Sequence, residues 1–387
     1  MNFDYNEEQQ LLADSVRRFL AKDYAFEASK KIVASPEGWS ESVWATMAQM
    51  GLAGLPFSPD YGGFGGGAVD LMGVMEAAGE ALLVEPYLAT VGLGGQLVAR
   101  AGSDAQKKAI LPQVVEGRME LAFAHTEKGA RYNLSKVDAQ ARKAGGAGAS
   151  WEISGEKVVV LGAPAADKLV VSAKTEKGLS LFLVNISSKG LKVKPYVTLD
   201  EQRAGDVVLS GTPGELLGAE GGALPLIEEV VDFATALVCA EAVGAMKFAC
   251  DTTLEYLKTR KQFGVPIGTF QALQHRIVDM YISYEQAKSM ACLACSKADA
   301  PADADKDRAS AVDRARAISA AKIKIADNCR HISQEAIQLH GGMGMTEELK
   351  VSHTFRRLTM IAQQFGDAEH HLARFAELDR TSRASLS

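Results

Sequence analysis

The segment Gln338-Leu-His-Gly-Gly-Met-Gly344 joins polar side chains to three glycines, directly after a helical pattern. A glycine past a helix end is typical of a left-handed cap, which accounts for one of the three. Bare backbone also lets a flat or anionic ligand approach the main chain at Gly341 and Gly342, and Gln338 adds an amide donor. The segment alone favours a helix cap and a cofactor contact about equally.

The cysteines and the adjacent histidines do not have the spacing that is typical of a metal or redox centre. Cys292 and Cys295 have the spacing of one helix face, without a second cysteine pair or a histidine close by in the sequence. His370 and His371 are adjacent, so on a helix their side chains point about 100° apart and do not readily share one ligand. We therefore predict no metal site.

The composition indicates a folded protein of two or three domains, given its 387 residues. It is 47% hydrophobic and 23% charged, and its net charge of −6 gives no reason to expect a nucleic-acid partner. Without an 18-residue apolar run or a basic-then-apolar leader, we predict no membrane span and a cytoplasmic protein. Five scattered cysteines fit buried thiols in a reducing compartment.

Three compositional zones predict the elements that position these groups, and together they indicate an α+β multidomain protein. Residues 1–119 have helical patterns, with caps at Asn6 and Ser40. Residues 120–221 alternate short apolar runs with glycine-containing turns, which predicts an antiparallel β domain. Residues 222–387 have helical patterns long enough for a bundle. Those patterns lie near 223–259, 270–297 and 309–340.

Four motifs resemble those of the acyl-CoA dehydrogenase flavoproteins, and the likeness covers nearly the whole chain. They are Leu55-Pro-x-x-x-x-Tyr61-Gly-Gly-x-Gly65, Ala122-Phe-Ala-His-Thr-Glu127, Tyr256-Leu-Lys-Thr-Arg-Lys-Gln-Phe-Gly264 with Ile267-Gly-x-Phe-Gln271, and Gln338-Leu-His-Gly-Gly-Met-Gly344. The resemblance implies an N-terminal α-helical domain, a middle β-barrel-like domain and a C-terminal four-helix bundle. Within the family, the chain looks similar to the small subunit of a pimeloyl-CoA dehydrogenase.

The resemblance also implies FAD as the cofactor. The groups that correspond to those gripping the ADP half of a neighbouring subunit's FAD are Arg260, Phe263, Gln271, Gln338, Gly341 and Gly342. A guanidinium suits a pyrophosphate, although Arg260 by itself also reads as a solvated charge at a helix end. Thr126 corresponds to the hydroxyl that bonds the edge of the flavin ring.

The implied reaction is α,β-dehydrogenation of an acyl-CoA thioester, with electrons passed to an electron-transfer flavoprotein. In the family a glutamate removes the α-proton; here that position falls on Gly366, followed by Asp367. A second family position for the base, on the first bundle helix, falls on Ala234. The tryptophan that flanks the flavin is replaced by valine in Gly155-Glu-Lys-Val-Val-Val160. The usual catalytic glutamate is therefore missing.

Three accounts of catalysis stay open. In the first, Asp367 is the base, because Gly366 keeps its backbone N–H and lets the loop turn the carboxylate inward. In the second, the chain is the base-poor subunit of a hetero-tetramer whose large subunit carries the glutamate, whereas the resemblance otherwise implies a homo-tetramer. In the third, Asp232 or Glu241 acts as the base, although Glu241 reads more simply as a buried structural acid.

Three arginines are candidates for binding the acyl-CoA substrate. Arg131, Arg356 and Arg357 could each meet a phosphate of CoA or an acidic acyl tail, and each also reads as a solvated charge. The valines near the flavin position open volume there, but they do not name an acyl chain.

Overall fold

The computed structural model of the chain describes residues 5–144, 150–299 and 307–384. Its helices are α1 Glu7–Asp23, α2 Phe26–Ala34, α3 Glu41–Gln49, α4 Ala68–Ala81, α5 Gly95–Ala101, α6 Asp104–Val115, α7 Ala223–Thr259, α8 Gln271–Ala298, α9 Asp307–His340, α10 Lys350–Gln363 and α11 Ala368–Ala384. Its strands are β1 Leu121–Ala124, β2 Gln140–Lys143, β3 Ser150–Leu161, β4 Lys168–Thr175, β5 Gly178–Asn185, β6 Leu191–Val197, β7 Arg203–Leu217, β8 Lys261–Gln262 and β9 Val265–Pro266.

Contacts between residues divide the chain into two compact units, which are described separately. The helical unit comprises the described residues within Met1–Ser29, Gly67–Leu83 and Thr235–Ser387. The mixed unit comprises Lys30–Gly66 and the described residues within Val84–Ala234. Both predicted helix caps are confirmed, because Asn6 accepts from the Gln9 N–H and Ser40 accepts from the Val43 N–H.

The helical unit is built on long helices, of which α8 has 28 residues and α9 has 34. α9 packs against α8, α10 and α11, and α4 packs against α1 and α8. The buried face of α9 carries Ile318, Ala321, Lys322, Ile325, Cys329 and Ile332. The predicted C-terminal helical region is thus confirmed, and it supports the loop between α10 and α11. Within the described ranges, no helix is both long enough and apolar enough to cross a membrane.

Two glycines allow α4 and α7 to cross closely. A Cβ built at Gly79 would lie 1.9 Å from the carbonyl oxygen of Glu241, and one at Gly244 would lie 1.8 Å from that of Glu76. Real side-chain atoms do not fit at such separations, so the backbones touch only because both positions are glycine.

Gly244→Ala is expected to lower the free energy of unfolding by about 1–3 kcal/mol, because the added methyl group forces the two helices apart. This is the net effect after alanine's better helix propensity, which favours the variant by about 1 kcal/mol. Denaturant unfolding followed by circular dichroism measures the change. Lys247→Ala, an exposed substitution one turn later, is the control and should stay within about 0.5 kcal/mol of wild type. Equal stability of Gly244→Ala and wild type would contradict the tight crossing.

The mixed unit contains a seven-stranded sheet that closes on itself. β4, β2, β3, β7 and β5 form a ring because β5 also pairs with β4, while β1 pairs with β4 and β6 pairs with β7. The predicted barrel-like β domain is confirmed. The sheet is not wholly antiparallel, however, since β1 and β2 each pair with β4 in parallel. Neither strand joins β4 by a hairpin, so the chain has the length to return in the same direction.

β3 is irregular where it passes Thr126, the second residue after β1. Its register with β7 shifts between Lys157 and Val160. Within this bulge Val159 has a left-handed φ of 53° and its side chain is 51% exposed. The Val158 N–H donates to the carbonyl oxygen of Thr126 at 2.8 Å. The bulge therefore lies beside Thr126 and presents a valine to the surface.

Candidate functional site

A buried polar network lies beneath Thr126 in the mixed unit. The side chain of Thr126 is exposed, whereas its neighbours His125 and Glu127 are buried. The Lys157 ammonium, which is fully buried, donates to Glu127 Oε1 at 2.7 Å and to the His125 carbonyl oxygen at 3.2 Å. It also donates to the Ser172 hydroxyl at 3.0 Å, and His125 Nδ1 lies 2.9 Å from the same hydroxyl. The network holds the end of β1 rigidly against β3 and β4.

The charges of this network follow from its burial. Burial and the nearby Lys157 charge lower the pKa of His125 to about 3, so His125 is neutral at pH 7. Burial lowers the pKa of Lys157 to about 8, although the Glu127 carboxylate opposes this shift. Burial alone would raise the pKa of Glu127, but hydrogen bonds from Lys157 and from the Asp138 N–H bring it below its usual value. The carboxylate and the ammonium thus stabilise each other.

The neutral His125 predicts a loss of stability in acid. Below about pH 6.5 the unfolded chain protonates this histidine while the folded chain does not, so stability falls as pH decreases toward about 3. In His125→Asn this dependence should weaken by up to about 1.4 kcal/mol per pH unit. Denaturant unfolding between pH 7 and pH 5 measures the slope. His275→Asn, at an exposed position, is the control, and a slope in His125→Asn equal to that of wild type would refute the assignment.

The helical unit brings two of the predicted cofactor motifs together. At the end of α9 the buried His340 ring stacks on Tyr256 of α7, with ring centroids 4.5 Å apart. This contact sets the Gly341–Met345 turn beside the segment that begins at Arg260. Gly341 has a left-handed φ of 60°, so the helix-cap geometry is present as well.

The predicted ADP-gripping side chains are exposed at this end of the helical unit. Arg260, Gln271 and Gln338 are exposed, and Phe263 is 91% exposed on the β8–β9 hairpin. The Phe263 ring meets Phe270 edge to face, with centroids 6.1 Å apart. An added Cβ at Gly341 or Gly342 would meet nothing within 4 Å, so the main chain is open to a ligand from outside.

These residues fit an ADP moiety by their chemistry. A guanidinium and amide side chains supply donors for an anionic pyrophosphate, and the exposed phenyl ring supplies an apolar face. In the mixed unit, the exposed Thr126 hydroxyl supplies a donor for the edge of a flavin ring. Whether each of these residues contacts FAD stays a prediction.

The loop between α10 and α11 carries Gly366 and Asp367. Phe365 has a left-handed φ of 60°, and the buried Gly366 has a φ of 127°, a region that favours glycine. A Cβ at Gly366 would lie 2.6 Å from the rings of His370 and His371. The position at which the resemblance predicts the family's glutamate therefore has no room for a side chain here.

The Asp367 carboxylate is half-buried and begins α11. Its Oδ1 accepts from the His370 N–H at 2.8 Å, which makes Asp367 the N-cap of that helix. Its Oδ2 makes no hydrogen bond to another residue in the described ranges. One oxygen thus anchors the side chain, and the other is available for chemistry.

The other candidates for the catalytic base and for substrate binding are either buried or exposed, and this decides which of them a substrate could contact. Glu241 is 5% exposed, and its Oε1 accepts from Arg357 Nη1 at 2.6 Å, as expected of a structural acid. Arg357 is 2% exposed and also donates to the Leu83 carbonyl oxygen, so the proposed contact of Arg357 with CoA is wrong. Arg131 is exposed and has a φ of 50°; its contact with the acyl-CoA substrate stays a prediction. Asp232 is buried in α7.

The sequence interpretation missed two buried lysines, Lys157 and Lys322. Lys322 falls on the apolar stripe of α9, four residues after Ile318 and three before Ile325. A lysine inside such a stripe is the signal that could have found it, because buried lysines occur almost only with partners. Lys157 lies in β3, whose residues alternate between buried and exposed positions. A lysine at an inward position of that alternation is the corresponding signal.

Comparison with known proteins identifies the family and the fold. The chain matches models of the acyl-CoA dehydrogenase N-terminal domain over residues 6–118, middle domain over 122–211 and C-terminal domain over 224–377. It is 31% identical to acyl-CoA dehydrogenase FadE12 of Mycobacterium tuberculosis over 377 residues, covering 93% of each chain.

Two solved structures extend the comparison. A variant of the Tcur3481-Tcur3483 steroid ACAD is 29% identical, with a TM-score of 0.86 over 98% of this chain and 99% of the other. PigA with FAD and proline is 26% identical, with a TM-score of 0.86 over 97% of this chain and 98% of the other. These matches confirm the fold and support FAD as the cofactor of an oxidoreductase. The chain belongs to the acyl-CoA dehydrogenase family.

Proposed function

We propose that this chain oxidises an acyl-CoA thioester at its α,β-bond, with Asp367 as the base and an electron-transfer flavoprotein as the electron acceptor. The observation that carries this proposal is the geometry of Asp367. One carboxylate oxygen is fixed by the His370 N–H, and the other has no hydrogen-bond partner among the described residues. A carboxylate held in this way is rigid and still able to accept a proton.

The chain's residues would act on the α-carbon. Asp367 Oδ2 takes the α-proton as the Cα–H bond breaks, and the electron pair forms the α,β double bond. The α-proton is weakly acidic, so negative charge developing on the thioester oxygen needs a donor. The Asp367 N–H, which makes no hydrogen bond within the described ranges, is suited to that role. Bound FAD supplies the acceptor for the hydride that leaves the β-carbon.

The exposed ADP-gripping residues suggest how the protein assembles. Arg260, Phe263 and Gln338 project away from their own unit, and nothing lies within 4 Å of a Cβ built at Gly341. Donors that face outward serve a ligand held by another subunit better than one held within the unit. We propose an assembly, a homo-tetramer by family resemblance, in which each chain grips the FAD of a neighbour.

The absence of a glutamate at Gly366 favours a second candidate function. Asp367 is one residue displaced from that position, and its N-cap bond to His370 also serves a purely structural purpose. In this alternative the chain is a base-poor subunit that completes the FAD site of a larger partner. The name of the related Tcur3481-Tcur3483 steroid ACAD likewise joins two components.

The visible spectrum of the chain purified alone separates these functions. Yellow protein that is bleached anaerobically by butyryl-CoA, octanoyl-CoA or pimeloyl-CoA, with an enoyl product lighter by two hydrogen atoms, supports the enzyme. Colourless protein that acquires flavin only with a co-expressed partner rejects the proposal and supports the second function. Yellow protein that none of the three thioesters reduces also counts against it.

A further inference from the structure

Lys322 is a fully buried cation directed at the loop that carries Asp367. Its side chain has no exposed surface, and its ammonium lies among the last residues of α10. Nζ donates to the carbonyl oxygens of Ile361 at 2.8 Å, Ala362 at 3.2 Å and Gly366 at 2.8 Å. An ammonium has three N–H donors, so all of its hydrogen-bonding capacity goes to this one segment.

The position suits a cation but is costly to maintain. Burial lowers the pKa of Lys322, opposed by interactions with Cys239, Cys329 and Asp367, in that order. The carbonyl oxygens at the C-terminal end of α10 attract a positive charge. Simple packing does not require it, because an apolar side chain of similar length would fill the same volume without desolvating a charge.

A second buried side chain holds the preceding peptide. His371 Nε2 lies 3.2 Å from the Phe365 carbonyl oxygen, and its Nδ1 lies 3.4 Å from the Ser319 hydroxyl. A carbonyl oxygen only accepts, so Nε2 carries the proton and donates it. Two consecutive carbonyls, of Phe365 and Gly366, are therefore tied to buried side chains of α11 and α9.

The consequence for Asp367 follows from peptide planarity. The Gly366 carbonyl and the Asp367 N–H belong to one planar trans peptide and point in opposite directions. Because Lys322 holds the carbonyl toward the interior, the Asp367 N–H points away from Lys322. The same bond fixes the main chain from which the Asp367 carboxylate extends.

We propose that Lys322 is a positioning residue for the reaction: by holding the Gly366 carbonyl, it orients the N–H and the carboxylate of Asp367 toward the thioester. This inference rests on the proposed function, in which Asp367 is the base. Lys322 does not touch substrate in this scheme and acts only through the loop.

The test compares Lys322→Met with Lys324→Met, a substitution at a half-buried position on the same helix, in the full-length FAD-loaded protein. Lys322→Met should keep its FAD and its KM for the most reactive of butyryl-, octanoyl- and pimeloyl-CoA within about twofold. Flavin reduction at saturating substrate should slow about 100-fold, because a misplacement of about 1 Å can cost that much. Lys322→Arg, which keeps the charge and donors, should recover part of the rate, and Lys324→Met should match wild type.

Hydrogen exchange without substrate provides a readout independent of turnover. Amides of residues 364–371 should exchange at least about tenfold faster in Lys322→Met, because the loop loses the bond at Gly366 and the last turn of α10 loses two more, while the segment around Arg260 stays unchanged. Unchanged exchange in 364–371, or an unchanged reduction rate, overturns the proposal. A large rise in KM with a constant rate overturns it too.

Two complications have defined outcomes. If Lys322→Met does not fold, Lys322→Gln, which keeps two N–H donors, replaces it in both assays. Slower flavin reduction and faster exchange in 364–371 then support the proposal, and no change in either one overturns it. If no thioester reduces the wild-type protein, the proposed function fails by itself. Hydrogen exchange then decides the role of Lys322 in holding the loop: faster exchange in 364–371 supports it, and unchanged exchange rejects it.

Discussion

Asp367→Asn is expected to slow flavin reduction by acyl-CoA about 100- to 10,000-fold, the usual contribution of a general base, while FAD stays bound. Asparagine is as good an N-cap as aspartate, so the bond to the His370 N–H and the start of α11 should survive. The substitution therefore removes the base without removing the helix cap. Anaerobic stopped-flow absorbance of the flavin measures the rate.

Matched variants make the result specific to the carboxylate. Glu369→Gln removes an exposed carboxylate from the first turn of the same helix and should leave the rate unchanged. Asp367→Ser keeps a capping oxygen and lacks a base, so it should be as slow as Asp367→Asn. Retention of near-wild-type reduction in Asp367→Asn would remove Asp367 as the base and favour the partner-subunit account.

Arg260→Met is expected to weaken FAD binding about 10- to 100-fold, since a hydrogen bond to a charged group contributes about 1.5–3 kcal/mol. The thermal stability of the FAD-free protein should not change, because the Arg260 side chain is exposed at the end of α7. Titration of the FAD-free protein with FAD, followed by flavin fluorescence, gives the dissociation constant.

The control for Arg260 is Lys258→Met, which removes an exposed cation two residues earlier in α7. It should leave FAD affinity within about twofold of wild type, because a solvent-exposed charge without a predicted contact to FAD is screened by water and salt. Equal affinities for Arg260→Met and wild type would mean that Arg260 is only the solvated charge that its helix-end position also allows.

The two predictions test different halves of the proposed function. Loss of FAD in Arg260→Met with normal binding in Asp367→Asn would assign cofactor binding and catalysis to separate segments of the helical unit. If Arg260→Met loses FAD but no variant at Asp367 changes reduction, the chain grips the cofactor while another carboxylate acts.

Much of the architecture follows from local sequence patterns. The caps at Asn6 and Ser40 were predictable because a side-chain oxygen three residues before an N–H forms a short-range bond. Long helical patterns near 270–297 and 309–340 predicted α8 and α9. β2, by contrast, was missed, since Gln140-Ala-Arg-Lys143 is short and mostly exposed. Its place in the sheet comes from pairing with the distant β3 and β4.

The parallel pairings of β4 with β1 and β2 could not be predicted either, because they also depend on strands distant in the sequence. Alternating strands with glycine turns indicate hairpins, and hairpins are antiparallel. β1 joins β4 across two intervening strands, and the direction of such a pairing depends on the path of the whole chain. The β-domain prediction held, while its strictly antiparallel form did not.

For the site, the sequence by itself predicted the family, FAD as the cofactor and the replacement of the catalytic glutamate at Gly366, because residue type and spacing carry that information. Tertiary structure alone decided that Arg357 is buried against Glu241, that Asp367 caps α11 and that Lys322 holds the Gly366 carbonyl. Each depends on which side chains meet across helices far apart in the chain. A linear pattern gives spacing along one helix, whereas burial and partnership arise only when the helices pack.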